Sequence, residues 1–363
     1  MIHVCDVLEG LGRLPDESVQ CCVTSPPYYG LRSYLPADHP LKRMEIGQER
    51  SYVHYLSRLA AVSKELRRVL RDDGLLWLNV GDAYATKGYK AHPSKCDPKK
   101  GPKGWDSNRR GMDAMDTCTP SGLEEKNLLM IPARVALAFQ EAGWILRSRI
   151  VWYKPNPMPD SAKDRPTCAF EEIFLFSKQG RYYSNFEAIR RMPSEALLKQ
   201  IAKGYEGQAR KDFGAAGVQD ASRTKKRVIE NARKKIDKQR GHSRRHQGFN
   251  ERWDHLTREE QMAIGGNIHN VWVIPTKGFK GAHFATFPPE IPRRCILAST
   301  RPGDVVLDPF VGSGTTAMVA DRLGRKFVGI ELDPRSVKMA HERIASDEAR
   351  EMCQQELLEQ GAA

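Results

Sequence analysis

Thr24-Ser25-Pro26-Pro27-Tyr28 follows a short apolar run, Val19 to Val23, that reads as a buried strand. Two consecutive prolines fix φ near −65° and remove two backbone donors, and a residue placed before proline is driven out of the helical region. The product is a stiff turn at the carboxyl end of a strand. It offers the Ser25 hydroxyl, a backbone carbonyl without a ladder partner and the aromatic face of Tyr28. Those groups suit a clamp for a planar ring that carries an amino group; taken alone, five such residues also suit an ordinary loop.

A second stretch narrows the choice. Val305-Val306-Leu307-Asp308 is an apolar strand ending in a carboxylate, and Pro309-Phe310-Val311-Gly312-Ser313-Gly314-Thr315-Thr316 leads from it into a helical pattern. A glycine-rich turn between strand and helix lets backbone approach a ligand beside the positive helix terminus. Lys326 to Ile330 reads as the next strand and ends at Glu331, where an acid is placed to bind ribose hydroxyls. The dinucleotide fingerprint lacks its third glycine and no Gly-Lys-Ser/Thr closes the loop, so a single-nucleoside cofactor is expected rather than NAD or a phosphate ligand.

Both turns need a parallel sheet behind them. Met1 to Val4 reads as a short strand with Asp6 at its end, Leu8 to Leu14 as a brief helical turn, and Tyr52 to Leu70 as a helix. Asp72-Asp73-Gly74 is expected to end that helix before a strand from Leu75 to Val80. Leu128 to Ala142 reads as a helix, Ile145 to Trp152 as a strand, and Glu171 to Ser177 with Arg181 to Ser184 as a hairpin. Val271 to Ile274, a helix from Pro292 to Ser299, the two strands of the glycine-rich region and a terminal helix from Pro334 follow. Strand, helix, strand with short connections argues for a mostly parallel α/β sheet with helices on both faces. Since no third strand follows Glu331, Met1 to Val4 is predicted to supply it, as a permuted α/β domain allows.

The chain has 363 residues, with 58 Lys and Arg against 45 Asp and Glu, a net charge of +13 that suits a polyanionic partner. No apolar run approaches the roughly 18 residues a membrane span needs, and the amino end carries no signal-peptide pattern. The 8 cysteines show no paired spacing, so no metal site is expected and free thiols in a reducing cytoplasm are. None follows a proline, which argues against a covalent cysteine mechanism. Two stretches break the sheet pattern. One is Lys87 to Lys126. The other is Pro193 to Gly265, with Lys225, Lys226, Arg227, Lys234, Lys235, Arg244 and Arg245; it reads either as a solvated charged helix or as a module that touches DNA.

Thr24-Ser25-Pro26-Pro27-Tyr28 near one end and Asp308 to Thr316 near the other, in that order, resemble the β group of amino-methylating DNA methyltransferases of bacteria and phages. Gly281 to Pro288 is similar to that group's segment upstream of the cofactor loop, although it departs from the His-Pro-Thr-x-Lys-Pro form common in adenine methylators. Trp152 to Pro157 is also similar to a family segment. The resemblance implies a seven-stranded methyltransferase sheet, permuted, with a target-recognition insertion. It divides the chain into catalytic parts at 1–86 and 128–190, a basic insertion at 87–127, a recognition region at 191–268 and a cofactor part at 269–363.

It also implies S-adenosylmethionine as cofactor, held by Asp6, Thr24, Thr286, Phe287, Pro288, Asp308, Pro309, Phe310, Gly312, Gly314, Thr315 and Glu331. Ser25, Pro26, Pro27 and Tyr28 would act on a flipped base in double-stranded DNA, with Arg32 and the basic cluster on the duplex. Ser-Pro-Pro-Tyr resembles the N4-cytosine type and Asp-Pro-Pro-Tyr the N6-adenine type, so cytosine N4 is the expected target, adenine N6 the alternative and a non-catalytic DNA-binding protein a third reading. The resemblance places the protein in bacterial cytoplasm and is compatible with a homodimer and a cognate restriction enzyme.

Overall fold

The computed structural model describes residues 1–36, 38–49, 51–85, 123–191, 265–276 and 287–346. Eight strands among them form one sheet: β1 (Ile2–Val4), β2 (Val19–Thr24), β3 (Leu70–Val80), β4 (Ile145–Tyr153), β5 (Phe170–Ser177), β6 (Val271–Val273), β7 (Val305–Asp308) and β8 (Lys326–Glu331). Their order is β1-β8-β7-β2-β3-β5-β4-β6. All neighbours are parallel except β5, which runs antiparallel to β3 and β4. The amino-terminal strand does complete the carboxyl-terminal half, pairing Ile2 with Gly329 and Val4 with Glu331.

Six helices among the described residues cover the sheet: α1 (Val7–Gly12), α2 (Tyr52–Val69), α3 (Ile131–Glu141), α4 (Glu290–Ser299), α5 (Thr315–Arg322) and α6 (Pro334–Ala345). Side chains alternate across a strand, and this sheet uses both faces. Cys22, Leu76, Leu78, Phe174 and Phe176 enter one apolar cluster with Leu59, Val62 and Leu66 of α2 and Val135 and Phe139 of α3. Trp77, one residue out of phase, is buried on the other face, where its Nε1 donates to Ser299 Oγ of α4 at 2.7 Å. Helix α2 forms where its apolar residues recur every three or four positions, and Ser51 caps it by accepting from His54 N.

Three sequence expectations are corrected. Asp72-Asp73-Gly74 is no turn between helix and strand: β3 begins at Leu70, directly after α2, and the extra residues are taken up by a register shift opposite Val19 and Cys21. Gly74 permits this, because a Cβ there would sit 2.8 Å from the Gln20 carbonyl oxygen. Arg181 to Ser184 is not a strand. β5 pairs on one side with β3 and on the other with β4, so no edge remains for a hairpin partner. The sheet has eight strands rather than seven because Val271–Val273 adds an edge beside β4.

The chain divides into two units, one built from Met1–Asn185 and the segment that starts at His269, the other from Phe186–Ile268. In the second, a 3-10 turn spans Phe186–Ile189, and Arg191 and Gly266 exchange backbone hydrogen bonds of 2.9 Å.

Candidate active site

A cavity of about 590 Å³ opens at the carboxyl ends of the parallel strands. Asp6 follows β1, Ser25 follows β2, Asn79 stands near the end of β3, Lys154 follows β4, and Asp308 and Glu331 end β7 and β8; all line it. Glu171 lines it as well, from the opposite end of its strand, because β5 runs the other way.

On one side of the cavity Tyr28 is the hub. Its hydroxyl donates to Glu171 Oε2 at 2.5 Å and accepts from Ser25 Oγ at 3.3 Å and from Asn79 Nδ2 at 2.8 Å. Asn79 Nδ2 also donates to Glu171 Oε2 at 2.9 Å, and Lys154 Nζ donates to Glu171 Oε1. The Tyr28 ring lies against Gly81, where a Cβ would meet ring carbon at 2.5 Å. Burial, together with the Glu171 charge, raises the Tyr28 hydroxyl well above its ordinary pKa, so it stays protonated. The turn itself is tied down by Tyr55, whose hydroxyl donates to the Pro27 carbonyl at 3.0 Å.

On the other side no ion pair among the described residues reaches Asp6, Asp308 or Glu331, while Asp333 is paired with Arg335 at 3.0 Å. Asp308 accepts from Thr24 Oγ1 and Thr316 Oγ1, each at 2.7 Å, and from Phe310 N at 3.1 Å. It therefore braces the end of β2 to the glycine-rich turn. Glu331 accepts from Gly312 N and Asp333 N, both at 2.9 Å. Desolvation raises Asp308 to about 6 and Glu331 to about 7, against hydrogen bonds that favour the ionised forms. Asp6 is buried and caps α1 by accepting from Leu8 N at 2.9 Å. Gly314 precedes α5 at φ +81°, and a Cβ there would sit 2.8 Å from Ala340 Cβ of α6.

The cavity thus joins Asp6, Ser25, Pro26, Pro27, Tyr28, Phe287, Asp308, Pro309, Phe310, Gly312, Thr315 and Glu331, which the sequence analysis singled out from distant positions. Arg32, expected on the duplex, also lines it, with Nη1 buried and without a hydrogen-bond acceptor. Thr24 stands behind the wall, holding Asp308, while Gly314 and Pro288 belong to the starts of helices rather than to the lining. Thr286 and the cluster Lys225, Lys226, Arg227, Lys234, Lys235, Arg244 and Arg245 lie outside the described residues. Sequence reasoning gave no role to Asn79, Lys154 or Glu171; each interrupts or borders an apolar strand with a polar side chain, and Lys154 also lies in the Trp152 to Pro157 segment that is similar to the family's.

A DNA methylase family model matches residues 19–342. The chain belongs to the DNA methylase family. Among curated relatives of this methylase, the type II methyltransferase M.Cfr9I of Citrobacter freundii is 40% identical over 345 residues, covering 94% of this chain and 87% of that one. The type II methyltransferase M.XycI of Xanthomonas campestris pv. cyanopsidis is 39% identical, covering 93% and 85%. Among solved structures, the PvuII DNA methyltransferase (cytosine-N4-specific) superposes with a TM-score of 0.54 at 18% identity, covering 95% of this chain and 86% of that one, a likeness of fold. No helix among the described residues is long and apolar enough to cross a membrane, and no group of three metal-ligating side chains occurs among them.

The cofactor half of this DNA methylase suits a cationic nucleoside. Phe310, Val7, Ile330 and Leu332 provide an apolar bed beside Asp6, Glu331 and Asp308, and the basic residues that line the cavity, Arg32 and Lys154, come from other segments. Acceptors without basic donors fit ribose hydroxyls and a positive sulfonium, and disfavour phosphate. The residues present therefore fit S-adenosylmethionine.

Proposed function

We propose that this protein methylates the exocyclic N4 of cytosine in duplex DNA, with S-adenosylmethionine as methyl donor. The observation that carries the reading is the single cavity shared by the Ser25-Pro26-Pro27-Tyr28 turn and the acid-rimmed turn from Asp308 to Gly312. S-adenosylmethionine supplies a methyl group on a sulfonium, an excellent leaving group, so positioning provides most of the rate. Glu331 holds the ribose, Asp6 the adenine side, and the backbone of Phe310 and Gly312 lines the path between. Asp308 acts through Thr24, keeping the two turns in register.

The amine of a pyrimidine is a poor nucleophile because its lone pair is delocalised into the ring. Hydrogen bonds from its two N–H groups to Ser25 Oγ and the Pro26 carbonyl localise that pair on nitrogen. The target base leaves the duplex to reach the cavity, and Tyr28 offers it a stacking face. Arg32, whose Nη1 lacks an acceptor, takes a phosphate beside the extruded nucleotide. Ser25 in place of aspartate favours cytosine over adenine by the family pattern; adenine N6 is the alternative. The stretch 191–268, with its lysine and arginine cluster, reads the duplex. The relatives' type II names support a cognate restriction endonuclease as partner.

Incubating the enzyme with duplex DNA and S-adenosylmethionine, digesting to nucleosides and weighing the products decides the chemistry. N4-methylcytosine is expected. N6-methyladenine alone would replace the reading of base choice, and absence of any methylated nucleoside would overturn the reading itself.

A further inference from the structure

The hydroxyl of Tyr28 has a use beyond holding the ring. Glu171 is a carboxylate and can only accept, so the Tyr28 proton points at Glu171 Oε2, 2.5 Å away. Tyr28 Oη then has its lone pairs left for Asn79 Nδ2 and Ser25 Oγ, so the Ser25 proton points at Tyr28. The consequence lies at Ser25: its hydroxyl hydrogen is committed inward, and its own lone pairs face the cavity that Ser25, Tyr28, Asn79, Lys154 and Glu171 line together. Every donor in the chain is oriented the same way, from Ser25 through Tyr28 to a carboxylate that Lys154 anchors on its second oxygen.

The geometry points to a proton relay, Ser25 to Tyr28 to Glu171, that carries off the proton released by the methylated amine; it rests on the function proposed above. As the amine lone pair forms the nitrogen–carbon bond, the carbon–sulfur pair leaves with sulfur and the nitrogen becomes positive. One N–H proton passes to Ser25 Oγ, the Ser25 proton to Tyr28 Oη, and the Tyr28 proton to Glu171 Oε2. The positive charge brought by the sulfonium is cancelled by the carboxylate, leaving a neutral thioether, a neutral methylamine and a neutral Glu171, which returns its proton to water after product release. Ser25 touches the substrate; Tyr28 and Glu171 act through it.

The test is single-turnover transfer to duplex DNA with S-adenosylmethionine saturating, in mixtures of H₂O and D₂O. Tyr28→Phe keeps the ring, and Glu171→Gln keeps the shape of the acceptor. Each should slow transfer on the order of a hundred-fold, as loss of a positioned proton acceptor does, while cofactor and DNA dissociation constants stay within about twofold. The double variant should be no slower than the slower single one. The proton inventory should curve in the wild type, with several protons in flight, and become linear in Tyr28→Phe. In the cofactor-free enzyme, ¹³C-tyrosine NMR should find Tyr28 still protonated well above the ordinary value of 10.0 and titrating lower in Glu171→Gln. Wild-type rates in Tyr28→Phe and Glu171→Gln, or a Tyr28 titration unchanged by Glu171→Gln, would overturn the relay. Ser25→Ala separates the levels: slow transfer there with normal Tyr28→Phe sinks only the relay, a wild-type rate in Ser25→Ala sinks both the relay and the Ser25 hydrogen bond to the amine, and only the absence of any methylated nucleoside in the wild type sinks the function on which they rest.

Discussion

The two walls of the cavity handle negative charge in opposite ways. On the side of β7 and β8, Asp308 and Glu331 are satisfied by hydroxyls and backbone amides, and burial lifts both toward neutral pH. On the side of β3, β4 and β5, Glu171 is held by Lys154, Asn79 and Tyr28, so its charge is compensated within the protein. A wall with uncompensated acids waits for a cation; a wall already neutralised suits an uncharged base. One cavity can therefore hold a sulfonium and an uncharged base side by side without either binding in the other's place.

The comparison breaks most severely at Asp308, which ties the end of β2 to the glycine-rich turn after β7. Asp308→Ala should strand the Thr24 and Thr316 hydroxyls and the Phe310 amide, and cost about 2–4 kcal/mol of stability in urea denaturation. Methyl transfer should fall together with cofactor affinity in calorimetry. Wild-type stability with weakened affinity would make Asp308 a direct ligand group rather than a brace.

Glu331 sharpens the contrast through pH. Its folded value of about 7 lies above the ordinary 4.5, and Asp308 at about 6 lies above 3.8. At these two sites the folded protein holds more protons than the unfolded chain, so their contribution to stability should be full below about 3.8 and fall as pH rises to about 7. Glu331→Gln should flatten the upper part of the slope. A cationic cofactor favours the ionised carboxylate, so binding at pH 6.5 should release protons, measurable by calorimetry in buffers of different ionisation enthalpy. Heats that do not vary with the ionisation enthalpy of the buffer, meaning no proton release, would remove Glu331 from the cofactor site.

The smallest effect per residue is expected outside the cavity. Neutralising Lys225, Lys226, Arg227, Lys234 and Lys235 should weaken DNA binding evenly across sequences and reduce the slope of log affinity against log salt by about 0.9 for each phosphate no longer neutralised. Cofactor affinity should not move. A slope equal to that of the unaltered protein would leave recognition to Arg32 and other parts of the chain.

Residue order alone was enough to locate both turns. Pro26-Pro27 and Gly312-x-Gly314 constrain backbone locally, and an apolar run before each names the strand that delivers it. The source of the third strand was legible too, because no strand pattern follows Glu331 and Met1 to Val4 could supply one, and it lies beside β8. The false hairpin at Arg181 to Ser184 had a physical origin: strand propensity is local, but the availability of an edge is not. The same distinction explains Glu171. Read along the chain it is one polar residue at the start of an apolar strand. Only the antiparallel course of β5 between β3 and β4 turns that start toward the rim where the other strands end. A carboxylate 143 positions from Tyr28 in the chain thereby comes within 2.5 Å of its hydroxyl. Local backbone chemistry determined which residues present a hydroxyl, a carbonyl and an acid at the ends of strands. Strand direction, a property of the whole sheet, decided which of those groups share a cavity and where a proton leaving Ser25 can go.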